Sequence, residues 1–131
     1  MLFRATSIPG VMLLEPERAE DDRGWFARAW CSRELAEHGL TGELAQASLS
    51  HNKRKGTLRG MHYQIAPHEE AKVVRVVRGA AYDVALDVRA GSPSFRRWVS
   101  AELSEDNGAA LYIPEGVAHG FQTLADDTVL L

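Results

Sequence analysis

The sequence predicts an all-β sandwich or barrel with one short helix. From residue 46 onward, apolar runs recur about every 8–12 residues and turn residues separate them, which is typical of such folds. Two of these runs, 71–77 and 80–88, are joined by Arg78-Gly79. The chain has 131 residues, of which 45% are apolar. This length predicts one domain with a substantial core and excludes two ordinary ones.

The first elements are less regular. A strand is predicted at 11–14, after Pro9-Gly10, and residues 15–22 are charged and turn-like. Residues 23–30 alternate between two different faces, as a strand would. Ser32 is predicted to cap a helix of about two turns that ends at Gly39.

Four further strands are predicted at 95–103, 109–113, 119–124 and 128–131. Asn107-Gly108 is a hairpin signal between two of them. The run at 80–88 has two distinct faces, one with Tyr82, Val84 and Leu86 and one with Asp83, Ala85 and Asp87. If the second face lines the interior, Asp83 or Asp87 could orient a histidine. Both carboxylates could equally be outward and solvated.

Composition limits the function. The net charge of −3 and the pI of about 5.9 argue against sequence-independent nucleic-acid binding. No apolar run approaches the roughly 20 residues of a membrane span, and the N-terminus has no signal-peptide pattern. Cys31 is the only cysteine, which fits a reducing compartment. We therefore expect a cytoplasmic protein that binds neither nucleic acid nor membrane.

The polar segment 56–64 is the first candidate site. Strict alternation would send Arg59 and His62 to opposite faces of a strand. A bulge or kink at Gly60 could bring both side chains into one lumen. The alternative is that His62 is a structural histidine and Arg59 a surface charge.

A second candidate is the spacing Pro114-x-Gly116-x-x-His119, which resembles the second motif of the cupin superfamily of small β-barrels. The alternative is a Pro/Gly turn that happens to precede a histidine. Position 64 is Gln where metal-binding cupins carry a ligand, and His68 falls in a loop. We therefore predict no metal. Arg23, Arg28, Arg59 and Lys72 are cations in strand-like contexts, which indicates an anionic ligand unless they are ordinary solvated charges.

Several segments resemble those of the dTDP-4-dehydrorhamnose 3,5-epimerase family, and together they cover nearly the whole chain. They are Arg23-Gly24-x-Phe26, Gln46 to Asn52, Leu58-Arg59-Gly60-x-His62-Tyr63-Gln64, Lys72 to Gly79, Tyr82 to Arg89 and Pro114-Glu115-Gly116-x-Ala118-His119-Gly120-Phe121. The resemblance implies a single cupin-like domain over 1–131, a jelly-roll barrel (double-stranded β-helix) without metal or other cofactor, and a homodimer. It implies a nucleotide-linked 4-keto-6-deoxyhexose as substrate.

The resemblance also implies residue roles. His62 would be the base. Lys72 and His119 would contact the sugar or its oxyanion. Arg23 and Arg59 would contact the diphosphate and the nucleotide, and Gln46, Ser48 and Arg28 occupy further substrate-contacting positions. Many members have Glu at the position of Arg28, and Asn is common at that of Ser48.

The family's acid, a tyrosine, would follow Leu131, and the carboxylate that pairs with the base lies further on. The resemblance therefore implies a chain that is incomplete at its C-terminus and incorporates little or no solvent deuterium into the substrate by itself. A short paralogue that binds sugar nucleotides without catalysis and a metal-dependent cupin enzyme are the alternatives.

Overall fold

The computed structural model describes all 131 residues and is almost entirely β. Its strands are β1 (Leu2–Ala5), β2 (Met12–Glu15), β3 (Ala19–Asp21), β4 (Gly24–Phe26), β5 (Ser50–Asn52), β6 (Leu58–His62), β7 (Lys72–Arg78), β8 (Ala80–Asp87), β9 (Trp98–Ser104), β10 (Ala110–Ile113), β11 (Val117–Thr123) and β12 (Thr128–Leu130). The only helix, α1, spans Ser32–Glu37. The predicted all-β class with one short helix is confirmed. No helix is long or apolar enough to cross a membrane.

Two sheets pack face to face. One has six strands in the order β1-β2-β10-β7-β12-β5, and the other has four in the order β6-β11-β8-β9. Buried apolar side chains from both sheets meet between them, among them Val76, Leu103, Leu111 and Phe121. This core is continuous, so the two sheets form one sandwich whose interior is the candidate lumen.

The helix covers the outer face of the six-stranded sheet. Leu35 is fully buried there and packs in a cluster with Leu14, Ala110 and Tyr112. The prediction that Ser32 caps the helix is wrong by one residue. Cys31 is the N-cap, without a side-chain cap bond, because its extended backbone precedes the first helical residue. Gly39 ends the element as predicted, with a left-handed φ of +70°.

The region 15–30 differs from its prediction. The charged stretch contributes β3, and only Gly24–Phe26 of the predicted strand 23–30 is regular. These two strands form a separate, fully exposed two-stranded sheet. β1 was not predicted, because its four residues have no alternating apolar pattern.

Two connections carry the chain from one sheet to the other. The turn at Asn107-Gly108 is present, with Gly108 at a φ of +62°, but it joins β9 to β10 in different sheets and makes no hairpin. The prediction of a hairpin is therefore wrong, because β9 pairs with β8 while β10 pairs with β2 and β7. The turn before β11 crosses between sheets in the same way, with Gly116 at a φ of +74°.

Candidate active site

A bulge in β6 aligns two of the predicted site residues. His62 lies opposite His119 on β11, and Arg59 lies opposite Phe121. Three steps along β6 therefore match two steps along β11, so one extra residue is accommodated near Gly60. Because directly paired residues of an antiparallel ladder share a face, His62 and Arg59 both lie on the face of the buried Phe121. The proposed kink at Gly60 is confirmed.

His119 is held by a buried carboxylate. Its Nε2 lies 2.8 Å from Oδ2 of Asp83, which β8 presents to the interior. Asp83 is fully buried, and its side chain lies on the same face as Ala85 and Asp87. The interior placement of this face and the role of Asp83 in orienting a histidine are thus confirmed. A carboxylate in this position fixes the orientation of the imidazole ring.

The environment of Asp83 is unusual. Its second oxygen, Oδ1, is buried without any hydrogen-bond partner. Burial raises the pKa of the Asp83 carboxyl above its usual value of 3.8, and the hydrogen bond to His119 opposes this rise. The pair therefore joins a fully buried carboxyl to a histidine that lies opposite His62 at the mouth of the lumen.

Asp87 has a different role. Its carboxylate accepts hydrogen bonds from the guanidinium of Arg89 and from the hydroxyls of Ser92 and Ser94. The hydrogen bond from Arg89, together with those from the two serines, lowers the pKa of Asp87. Asp87 therefore fastens the loop between β8 and β9 and does not orient a histidine.

Arg59 is held across the gap between the two sheets. Its Nε donates to Oδ1 of Asn52 on β5 at 2.7 Å. Arg59 and His62 are both exposed, so they lie at an open mouth of the sandwich, whereas Asn52 is 2% exposed. Asn52 was not predicted as a site residue. Its signal in the sequence is an asparagine in a strand, where this residue type is depleted.

Lys72 opens β7 on the interior face. It pairs in register with Ile113 and shares its face with Val74 and Val76, all members of the core between the sheets. Its ammonium group is partly exposed and forms an ion pair with Glu70. Lys72 thus presents a cation at the end of the lumen.

The other predicted contacts lie elsewhere. Arg23 and Arg28 are exposed and form ion pairs with Asp21 and Glu34 respectively. Gln46 and Ser48 are exposed in the irregular segment between α1 and β5. None of these four side chains hydrogen-bonds to Arg59, His62, Lys72 or His119. No group of three or more His, Cys, Asp and Glu side chains is arranged to hold a metal ion.

The fold and the site together define a cupin-like barrel whose mouth carries two opposed histidines and two cationic side chains. Residues 5–131 match the family model of dTDP-4-dehydrorhamnose 3,5-epimerase. The chain belongs to this family.

Relatives and solved structures agree with that assignment. The chain is 46% identical over 134 residues to a dTDP-4-dehydrorhamnose 3,5-epimerase of Sinorhizobium fredii, covering 99% of this chain and 67% of the relative. It is 39% identical to a dTDP-4-dehydrorhamnose 3-epimerase of Streptomyces niveus, covering 99% and 63%. The crystal structure of the 3,5-epimerase of Bacillus anthracis, with TDP and PPi bound, superposes with a TM-score of 0.94 at 38% identity, covering 98% of this chain and 74% of that one. This chain thus spans about two thirds of the length of its curated relatives.

Proposed function

We propose that the chain inverts C3, C5 or both in a nucleotide-linked 4-keto-6-deoxyhexose, as in deoxysugar biosynthesis of the dTDP-rhamnose type. Family membership supports the substrate class. The observation that carries the proposal is the bulge in β6, which puts His62 opposite His119 and on the same face as Arg59. A proton acceptor and an anion-binding group thus share one open lumen.

The chemistry starts from acidic hydrogens. Those on C3 and C5 flank the C4 ketone, so removing one leaves an enolate whose charge develops on the ketone oxygen. His62 acts as the base. His119, fixed by Asp83, and Lys72 supply donors for the developing oxyanion. Return of a proton to the opposite face of the ring inverts the centre.

Arg59 binds the diphosphate in this proposal, and the TDP and PPi in the Bacillus anthracis structure support a nucleotide diphosphate as ligand. Arg23, Arg28, Gln46 and Ser48 are proposed as further substrate contacts on the basis of the family resemblance alone. The proposal requires neither a metal nor another cofactor. Because the relatives include both a 3,5-epimerase and a 3-epimerase, inversion at C3 alone is one form of it.

We also propose that two copies associate through the outer face of the four-stranded sheet. Trp98, Met61 and Tyr82 are 59%, 44% and 40% exposed there, beside Val84 and Leu86. Four strands of about seven residues project roughly 450 Å² per copy. Side chains that project from the sheet add to this flat area, so the surface buried per copy comes close to the roughly 600 Å² per partner of a small stable interface. A cytoplasmic location is proposed on the weaker ground that the single cysteine is free.

Solvent deuterium exchange tests the catalytic proposal. The chain and a His62→Asn variant are each incubated with dTDP-4-keto-6-deoxyglucose in D₂O, and NMR follows C3 and C5. Even weak exchange is informative, because abstraction needs only the base, whereas inversion needs an acid on the other face.

We expect His62→Asn to bind dTDP like the wild type and to lose at least 100-fold in exchange, within the range of general-base contributions. Equal exchange by both proteins would show that His62 is not the base. Binding of dTDP without exchange by the wild type would favour the non-catalytic paralogue.

A further inference from the structure

The structure contains an asparagine that no part of the proposed chemistry uses directly. Asn52 lies on β5 at the edge of the six-stranded sheet and is 2% exposed. It makes the one side-chain hydrogen bond to the guanidinium of Arg59, which belongs to β6 at the edge of the other sheet.

The orientation of the Asn52 amide is fixed by its surroundings. Nδ2 donates to the backbone oxygen of Ser50 at 3.1 Å, to the Ser50 hydroxyl at 3.3 Å and to the backbone oxygen of Thr128 at 3.3 Å. If the amide nitrogen and oxygen were exchanged, the nitrogen would point at the N–H donor of Arg59 and the oxygen at the carbonyl oxygens of Ser50 and Thr128, and neither could form a hydrogen bond. Oδ1 is therefore committed to Arg59, and the side chain is a rigid acceptor.

Arg59 differs in its partner from the five arginines that form ion pairs. Arg4, Arg23, Arg28, Arg33 and Arg89 are each paired with a carboxylate. Arg59 forms no ion pair and is fixed by a neutral amide. Its positive charge is therefore not neutralised by a neighbour.

The geometry of the bond decides which edge of the guanidinium remains available. Asn52 occupies the Nε–H donor, so the four N–H groups on the two terminal nitrogens are left. Two parallel N–H donors of this kind match two oxygens of a phosphate group. A guanidinium held at Nε thus presents its end edge to an anion at little entropic cost, because its rotation is already restricted.

We propose that Asn52 is a positioning residue for the nucleotide diphosphate: it holds Arg59 at Nε, directs the terminal nitrogens to the diphosphate, and leaves the charge of Arg59 free because its own side chain is neutral. This inference rests on the proposed binding of a sugar nucleotide by Arg59.

A double-mutant cycle in dTDP binding tests it. Asn52→Ala, Arg59→Ala and the double variant are compared with the wild type by isothermal titration calorimetry. Thymidine, which lacks phosphate, is titrated in parallel by NMR. We expect Asn52→Ala to weaken dTDP binding about tenfold in the wild-type background, not to weaken it further in the Arg59→Ala background, and to leave thymidine binding unchanged.

Two further variants separate positioning from general loss of structure. Asn107→Ala removes another asparagine whose amide bonds to backbone groups, in the turn after β9, and should leave dTDP binding unchanged. Asn52→Ser replaces Asn52→Ala if the latter does not fold, because its hydroxyl can still donate to a carbonyl but is too short to reach Arg59.

Equal weakening in both backgrounds, or an equal loss of thymidine binding, would overturn the positioning role. Unchanged dTDP affinity in Asn52→Ala, with normal binding by the wild type, would overturn this inference alone. A wild-type chain that binds no dTDP would overturn the proposed function as well.

Discussion

The bulge at Gly60 can be tested by the substitution Gly60→Ala, which adds a single methyl group. Gly60 has a φ of +111°, and a Cβ built on it would lie 2.5 Å from the Cα of Gly120 and 2.7 Å from the backbone oxygen of His119. The backbone conformation costs a residue with a side chain about 1–3 kcal/mol. Overpacking against backbone that cannot rotate away adds about 1–3 kcal/mol. Gly60→Ala should therefore lower the free energy of unfolding by about 2–6 kcal/mol, and Tm by roughly 8–20 °C.

Gly56→Ala is the matched control. Gly56 also has a positive φ, of +81°, but a Cβ there would meet nothing within 4 Å. Gly56→Ala should lower the free energy of unfolding by only about 1–2 kcal/mol, because it carries the cost of the backbone conformation without overpacking. Urea denaturation followed by tryptophan fluorescence measures both variants. If Gly60→Ala were no more destabilising than Gly56→Ala, the close contact between β6 and β11 at the bulge would be refuted.

Two further predictions concern Asp83 and the outer apolar face. The raised pKa of Asp83 means that the folded state holds its proton more tightly, so its contribution to stability is present below pH 3.8 and is lost as pH rises through the folded pKa. The unfolding free energy of the wild type relative to Asp83→Asn should therefore fall over that pH window in urea titrations, and a flat or rising difference would contradict burial as the cause. In light scattering, Trp98→Glu should convert the proposed dimer to a monomer, because it puts a charge on the outer face of the four-stranded sheet. Leu44→Glu, at a similarly exposed residue outside the sheet, should not change the oligomeric state. Dimers in both variants would rule out the outer face of the four-stranded sheet as the interface.

The pattern of the sequence was sufficient for most strands because turn residues mark their ends. It was also sufficient for the bulge, because Gly60 stands between Arg59 and His62, two candidate site residues that strict alternation would separate. The sequence did not determine which face of β8 points to the interior. Tyr82, Val84 and Leu86 form the more apolar face, yet in the structure they lie outward. The interior face of β8 carries two carboxylates, Asp83 bonded to His119 and Asp87 bonded to Arg89, at positions where the apolar periodicity predicts hydrophobic side chains.

Pairing across long distances in the sequence was beyond prediction. The link between Arg59 and Asn52 depends on two sheet edges meeting, and no local spacing contains that information. Asn107-Gly108 illustrates the same limit. Its turn chemistry was correct, but whether a turn makes a hairpin depends on which strands the flanking segments find as partners.

The turns before and after β10, which carry the chain between the two sheets, affect how the protein folds during its synthesis on the ribosome. β2 pairs with β1 on one side and with β10 on the other, and the partner of Met12 on β10 is Tyr112, about 100 residues later. At roughly 5–20 residues per second, the early strands wait about 5–20 s before the central strand of their sheet is made. During that interval β1 and β2 form at most an isolated hairpin, which is marginally stable in water. The six-stranded sheet therefore cannot close until most of the chain has been synthesised, as expected for a fold that rests on contacts distant in sequence.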